Sequence, residues 1–353
     1  MVHGSETRIA SFTRIRRDRV LPKPGEVLVD PGDRVESSQI VGRTSLPGDF
    51  RIVPVGRVLG IAASEVDNCL RVDLGATVHR GDILAKREGL LGPTVTSPVD
   101  GVLTATGGGR VLIEAKPTPY ELRAHLTGTV LNVEGDQTIT IETAGTLVQG
   151  TWSAGGESVG SLKCLTRRPT EPLQAQAVDP SCHGTILVAG VTLDAESIAR
   201  VQEVDARGLV TGGLAAKLIP MVEELDIPVI VTDGFGELAM MDTIFDLLRE
   251  HEDRETSISG GNPASRNPIQ PEIIVPILNR EPPPERALKR TDLGPGTEVR
   301  ATRAPYAGHV GTVVSVPRYA QRLETGARVR CAEVDLGGDG SAFIPLVNLD
   351  ILR

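Results

Sequence analysis

Residues 29–42 read VDPGDRVESSQIVG and residues 72–85 read VDLGATVHRGDILA. Each copy is a short strand, a glycine turn, a polar link and a second strand. The apolar positions Val29, Val35 and Ile40 in one copy correspond to Val72, Val78 and Ile83 in the other. They flank turns built on Gly32 and Gly75, where a left-handed backbone is cheap only for glycine. The rest of the chain has the same texture. Among 353 residues, 39 are Gly and 25 are Pro, together about 18%, which is too many breaks for a helical bundle and too few for a low-complexity chain. Many short strands and tight turns are expected, spread over several domains at this length.

After the second copy the chain runs on into SPVDGVLTATGGGRVLIEA. The pattern GATVHRGDILA followed by SPVDGVL resembles the barrel-sandwich hybrid fold of lipoyl and biotinyl carrier domains, which also occurs as a non-carrier module in RnfC-type electron-transport subunits, membrane-fusion proteins and RNA polymerase. The resemblance implies such a domain over residues 25–118. A carrier needs a lysine at the hairpin tip, here GLLGP at 89–93, but the nearest lysine, Lys86, falls in the preceding strand. The carrier function is therefore not implied. Residues 1–24 form an Arg-rich N-terminal arm with Arg8, Arg14, Arg16, Arg17 and Arg19. As a polybasic terminus it is a candidate for anionic partners, and as a chain end it is expected to fray.

Residues 119–168 alternate apolar and polar side chains between glycine turns, which predicts a small antiparallel β domain with Trp152 as its core anchor. From 180 to 280 the period changes. GTILVAG, ARGLVTGG and IPVIVTDGFG alternate with LDAESIARVQEV, LAAKLIPMVEELD and ELAMMDTIFDLLREHE, and EIIVPIL adds a strand. Strands alternating with helices imply a Rossmann-like parallel sheet in three layers. Ligands of such sheets sit at the carboxyl ends of the strands. Gly212 and Gly213, with Lys217 one turn on, are candidates to hold an anion, and Asp233 and Glu237 to hold a divalent metal or a hydroxyl. The nucleotide signatures GxGxxG and GxxxxGK[ST] do not occur. GLVTGG with ELDIPVIV has a looser similarity to swivelling phosphohistidine domains, but Leu214, Ala215 and Ala216 stand where their histidine belongs.

Residues 281–293 contain EPPPER, a stiff Pro-rich linker. The segment GTEVRATRAPYAGHVGTVVSV that follows resembles the KOW motif of SH3-like barrels in ribosomal proteins and transcription-elongation factors, which implies such a barrel over 294–353. KOW loops bind RNA or protein, so the resemblance makes Arg300, Arg303, Tyr306, His309 and Arg318 candidate contacts. The module carries seven Arg against six acids, a weak electrostatic footprint for phosphates.

The chain's net charge of −9 and its scarcity of aromatic residues argue against a whole-chain nucleic-acid binder. The four cysteines are scattered without a CxxC, so a zinc knuckle is not expected. Cys182 and His183 are adjacent and point to opposite faces in extended chain. No GxSxG, HExxH or DxDxDG occurs, and no apolar run has the length of a membrane span. The expectation is a cytoplasmic, mainly β, multidomain protein with one α/β unit, without cofactor or metal. Its expected role is non-catalytic docking or assembly, with a protein partner or self-assembly. RNA or ribosome association through the KOW module is one alternative, and anion or nucleotide binding, with or without catalysis, at the α/β strand ends is the other.

Overall fold

In the computed structural model, which describes residues 5–7, 9–87, 92–260, 270–280, 293–301, 305–306, 308–317, 319–323 and 328–352, the glycine turns of the repeat open three units rather than two. The turns centre on Gly32, Gly75 and Gly296, with φ of 98°, 86° and 86°. Each donates the glycine N–H to a carbonyl in a distant strand and takes an N–H back from that same residue. Gly32 N bonds Val130 O and Val130 N bonds Asp33 O, both at 2.8 Å. Gly75 and Ala76 do this with Leu103, and Gly296 and Thr297 with Val313. The partner strands begin at or one residue before Gly128, Gly101 and Gly311, which lie across from Val35, Val78 and Val299. A Cβ on any of the three would come within 2.1–2.4 Å of a carbonyl oxygen of the next strand. Each partner strand then bulges at the same place, between Val130 and Asn132, between Leu103 and Ala105, and between Val313 and Ser315. A bulge bends and twists a strand, so all three units curl around a small core.

The first two units are nested. Strands Ile40–Leu46 and Thr118–Arg123 pair antiparallel, Leu46 opposite Thr118, and so staple together the ends of everything between them. The 25–118 segment is accordingly not one domain. Val29, Val35 and Val41 pack with Val130, Ile139 and Ile141 in one core, whereas Val78, Leu84, Leu103 and Ile113 form another inside the insertion. Within these strands Val41 and Leu84 are fully buried, while Ile83 is 46% exposed. Lys86 lies in strand Ile83–Lys86, and part of the GLLGP tip falls outside the described residues.

The small β domain and the α/β domain are likewise continuous. One mixed sheet of eleven strands runs through both. Its central strand Thr138–Gln149 pairs with Gly128–Glu134 at one end and with Glu272–Pro276 at the other. Glu157–Cys164, Thr185–Val188, Gly208–Leu214 and Val229–Phe235 are parallel neighbours. Their apolar residues alternate between two cores. Leu187, Leu209 and Val231 face the helices Ala195–Glu203 and Ile219–Glu223, while Ile186, Val210 and Ile230 face the helix Asp242–Glu250. The helix expected over 214–226 is shorter because Leu214 belongs to a strand and Ala216–Leu218 is a 3-10 turn. Trp152 is half-buried on an edge strand, its ring 5.6 Å from that of Phe235.

The Arg-rich terminus is not a frayed arm. Residues Ile9–Val20 form a twelve-residue strand laid antiparallel along Thr138–Gln149. Ser5–Thr7 then pairs in parallel with Leu349–Leu352 of the C-terminal sheet. That sheet has its own core of Val299, Val313, Val334, Ile344 and Ile351. Of the Pro-rich linker 281–293, only Leu293 is among the described residues.

Candidate functional site

The residues singled out at the α/β strand ends do not converge. Gly212 and Gly213 are inside a fully buried strand, and their N–H groups are spent on Gly190 O and Val191 O. A Cβ on Gly212 would lie 2.3 Å from Met240 N, so both glycines serve close packing and present no donors to an anion. Lys217 and Glu237 are exposed. Asp233 is buried and already engaged: it accepts from Thr232 Oγ1 at 2.7 Å and from Met241 N at 3.3 Å. Its other oxygen lies 3.2 Å from Arg300.

Arg300 is the second correction. It is fully buried and unavailable to RNA. Its guanidinium donates to Thr232 O at 2.9 Å and to Asp350 at 3.3 Å as well as to Asp233. The arginine belongs to the C-terminal unit and Asp233 to the α/β sheet, so this group fastens the two together. Burial pushes the Asp233 carboxyl up, against the pull of the Arg300 charge. Tyr306 is half-buried against the C-terminal core, with the exposed His309 ring 6.4 Å away. Arg303 and Arg318 lie outside the described residues. Cys182 is buried, while His183 is exposed and faces Asp205 at 3.7 Å, so the two form no pair. Among the described residues no group of three or more His, Cys, Asp or Glu is placed to hold a metal, and no helix is long and apolar enough to cross a membrane.

Two other places are shaped for binding. One is a cleft of about 610 Å³ between the first unit and the mixed sheet. Strand alternation turns Arg17 and Arg19 to its side. Arg17 grips the buried Glu272 through two nitrogens, with Nε to Oε1 at 2.6 Å. Arg19 makes the same fork on Glu157 at 2.5 and 2.7 Å. Over them sits His125 at φ 62°, a region that non-glycine residues seldom occupy and that tends to mark ligand sites. Its Nε2 is buried with no hydrogen-bond partner, 4.0 Å from Glu157 Oε2. Burial is the main influence on the imidazole and holds it below its ordinary pKa. Burial alone would raise the Glu157 carboxyl, but the Arg19 fork carries it below the usual range. The sequence marks none of this, since AHLTG carries no motif.

The other place is on the insertion. Among the described residues strand Phe50–Val53 pairs only with Arg110–Ala115, leaving its outer edge open. Phe50 and Ile52 are 60% and 62% exposed; Ile52 lies across from Leu112, and Phe50 across from Glu114, whose other neighbour is Val102. A hollow of about 430 Å³ beside Ile52 is flanked by Arg57 and Arg110. No protein-family model and no curated protein matches the chain.

Proposed function

We propose that the chain is an interaction and assembly protein that associates with a second copy of itself by strand addition at Phe50–Val53. In this reading the insertion is a docking module of the barrel-sandwich kind its motifs resemble, and the C-terminal unit an SH3-like companion. One observation carries the reading: an unpaired edge strand bears two large apolar side chains on its exposed face. Such edges pair readily with another strand, because their N–H and C=O groups are unmet. Covering a Phe or an Ile contributes about 1.5–3 kcal/mol each, and in a symmetric pair each copy supplies both.

Light scattering over a concentration series tests it. The wild-type chain is expected to exceed the 37.4 kDa of the monomer as concentration rises, and Phe50→Glu/Ile52→Glu to remain monomeric. A wild-type chain that stays monomeric up to its solubility limit overturns the proposal. So does a double variant that associates as the parent does.

A further inference from the structure

The open edge of strand Phe50–Val53 has a fixed hydrogen-bonding phase. Ala115 N donates to Asp49 O at 3.1 Å, and this pair continues the register in which Phe50 faces Glu114 and Arg51 faces Ile113. In an antiparallel ladder only alternate pairs exchange hydrogen bonds. The backbone groups of Asp49, Arg51 and Val53 therefore turn inward to Arg110–Ala115, and those of Phe50 and Ile52 turn outward to the open edge. A second copy that adds here across a two-fold axis has to set outward residues against outward residues. The axis then passes through Asp49, Phe50, Arg51 or Ile52, because one at Val53 or beyond runs into the helix Val55–Leu59.

Charge selects among these four. Asp49 and Arg51 project to the same side of the chain, 3.5 Å apart, with 81% and 55% of their side chains exposed. Like charges directly opposite one another across two strands are destabilising, and opposite charges are stabilising. An axis at Asp49 sets carboxylate against carboxylate, and one at Arg51 sets guanidinium against guanidinium. An axis at Ile52 sets Phe50 against Pro54, which has no N–H to donate. An axis at Phe50 sets Arg51 of each copy against Asp49 of the other. It also places Phe50 against its own counterpart, and Ile52 across from Gly48, which has no side chain, with the second Phe50 as its diagonal neighbour. Resting on the strand addition described above, we propose that two copies join antiparallel with Phe50 on the axis, and that two salt links between Arg51 and Asp49 fix this register.

Charge reversal in the full chain, read by sedimentation equilibrium, tests this. Asp49→Arg and Arg51→Asp each turn both links into like-charge pairs, and each variant alone is expected to self-associate about tenfold more weakly than the wild type, or worse. In their equimolar mixture position 51 of either chain again meets the opposite charge at position 49 of the other, so the wild-type affinity should return. The double reversal Asp49→Arg/Arg51→Asp should associate with itself as the wild type does. Raising salt from about 0.1 M to about 1 M cuts the screening length to about 3 Å, which should weaken the wild type and strengthen each single variant. Both positions are exposed, so urea unfolding of the variants should match that of the wild type where all are monomeric. If the wild type associates and the single variants do so equally well, or their mixture is no tighter than either alone, the register is overturned and strand addition at Phe50–Val53 stands. A wild type that stays monomeric overturns both.

Discussion

Arginines from the two ends of the chain meet carboxylates of the same mixed sheet in two places, and the outcomes differ. Arg300 is sealed between Asp233 and Asp350, all three nearly inaccessible. Arg17 and Arg19 grip Glu272 and Glu157 along the wall of an open cleft. The chemistry of the pairs is the same. Burial separates them: a sealed pair can only hold two units together, whereas a pair with solvent on one side keeps free lone pairs that a ligand can reach.

The largest effect is expected at the sealed group. Arg300→Ala leaves Asp233 and Asp350 buried without their cation, which should cost about 3–5 kcal/mol. Adding Asp233→Asn and Asp350→Asn should restore part of that. Urea unfolding followed by fluorescence of Trp152, the only tryptophan, reports it, because the Trp152 strand pairs with the strand carrying Asp233. A loss under about 1 kcal/mol would break the contrast with exposed pairs. Glu272→Gln should fall between, at about 1–3 kcal/mol, because Glu272 is buried and its partner Arg17 is not fully so. Glu157→Gln should cost no more than about 1 kcal/mol, since this carboxylate keeps 43% of its surface in solvent. If Glu157→Gln costs as much as Glu272→Gln, exposure is not what sorts these pairs.

Much of the mixed sheet was legible in the sequence because its signals are local. Asp194 caps the helix Ala195–Glu203 through Ser197 N, and apolar runs ending in glycine marked the parallel strands. The third repeated unit escaped because GPGTEV and DPGDRV share only a Pro-Gly pair and a valine three residues on, and what unites the three units is a backbone hydrogen-bond exchange that many side chains permit. Nesting escaped because it rests on the pairing of residues 40–46 with 118–123, which no local pattern encodes. Ile40 and Ile83 flank the turns without facing the core, because the fully buried side chains of those strands are their neighbours Val41 and Leu84 and alternation turns adjacent residues to opposite faces. Arg300 read as a contact because the KOW loops that its segment resembles bind RNA or protein. Here both faces of its strand are covered, one by the core of the C-terminal sheet and one by the α/β sheet. His125 left no trace, since its place in the cleft beside Glu157 depends on a residue distant in sequence.

The smallest effect is the pH response of the cleft, and its sign follows from burial. The folded protein holds His125 below its ordinary pKa of 6.5, so under mildly acidic conditions the unfolded chain binds more protons at this residue than the folded one. Stability rises with pH wherever that is so. The contribution is therefore complete above about pH 6.5 and is lost as pH falls from there toward the lowered folded value. His251, buried against Thr146 and also lowered, acts in the same window, so the wild type alone does not isolate His125. The difference between wild type and His125→Asn does: between pH 7.5 and 5.5 the wild type should lose more stability in urea unfolding than the variant. Equal pH slopes in the two proteins would show that the imidazole is not held neutral by the fold. The difference between the open cleft and the sealed group would then rest on Glu157 and Glu272 alone.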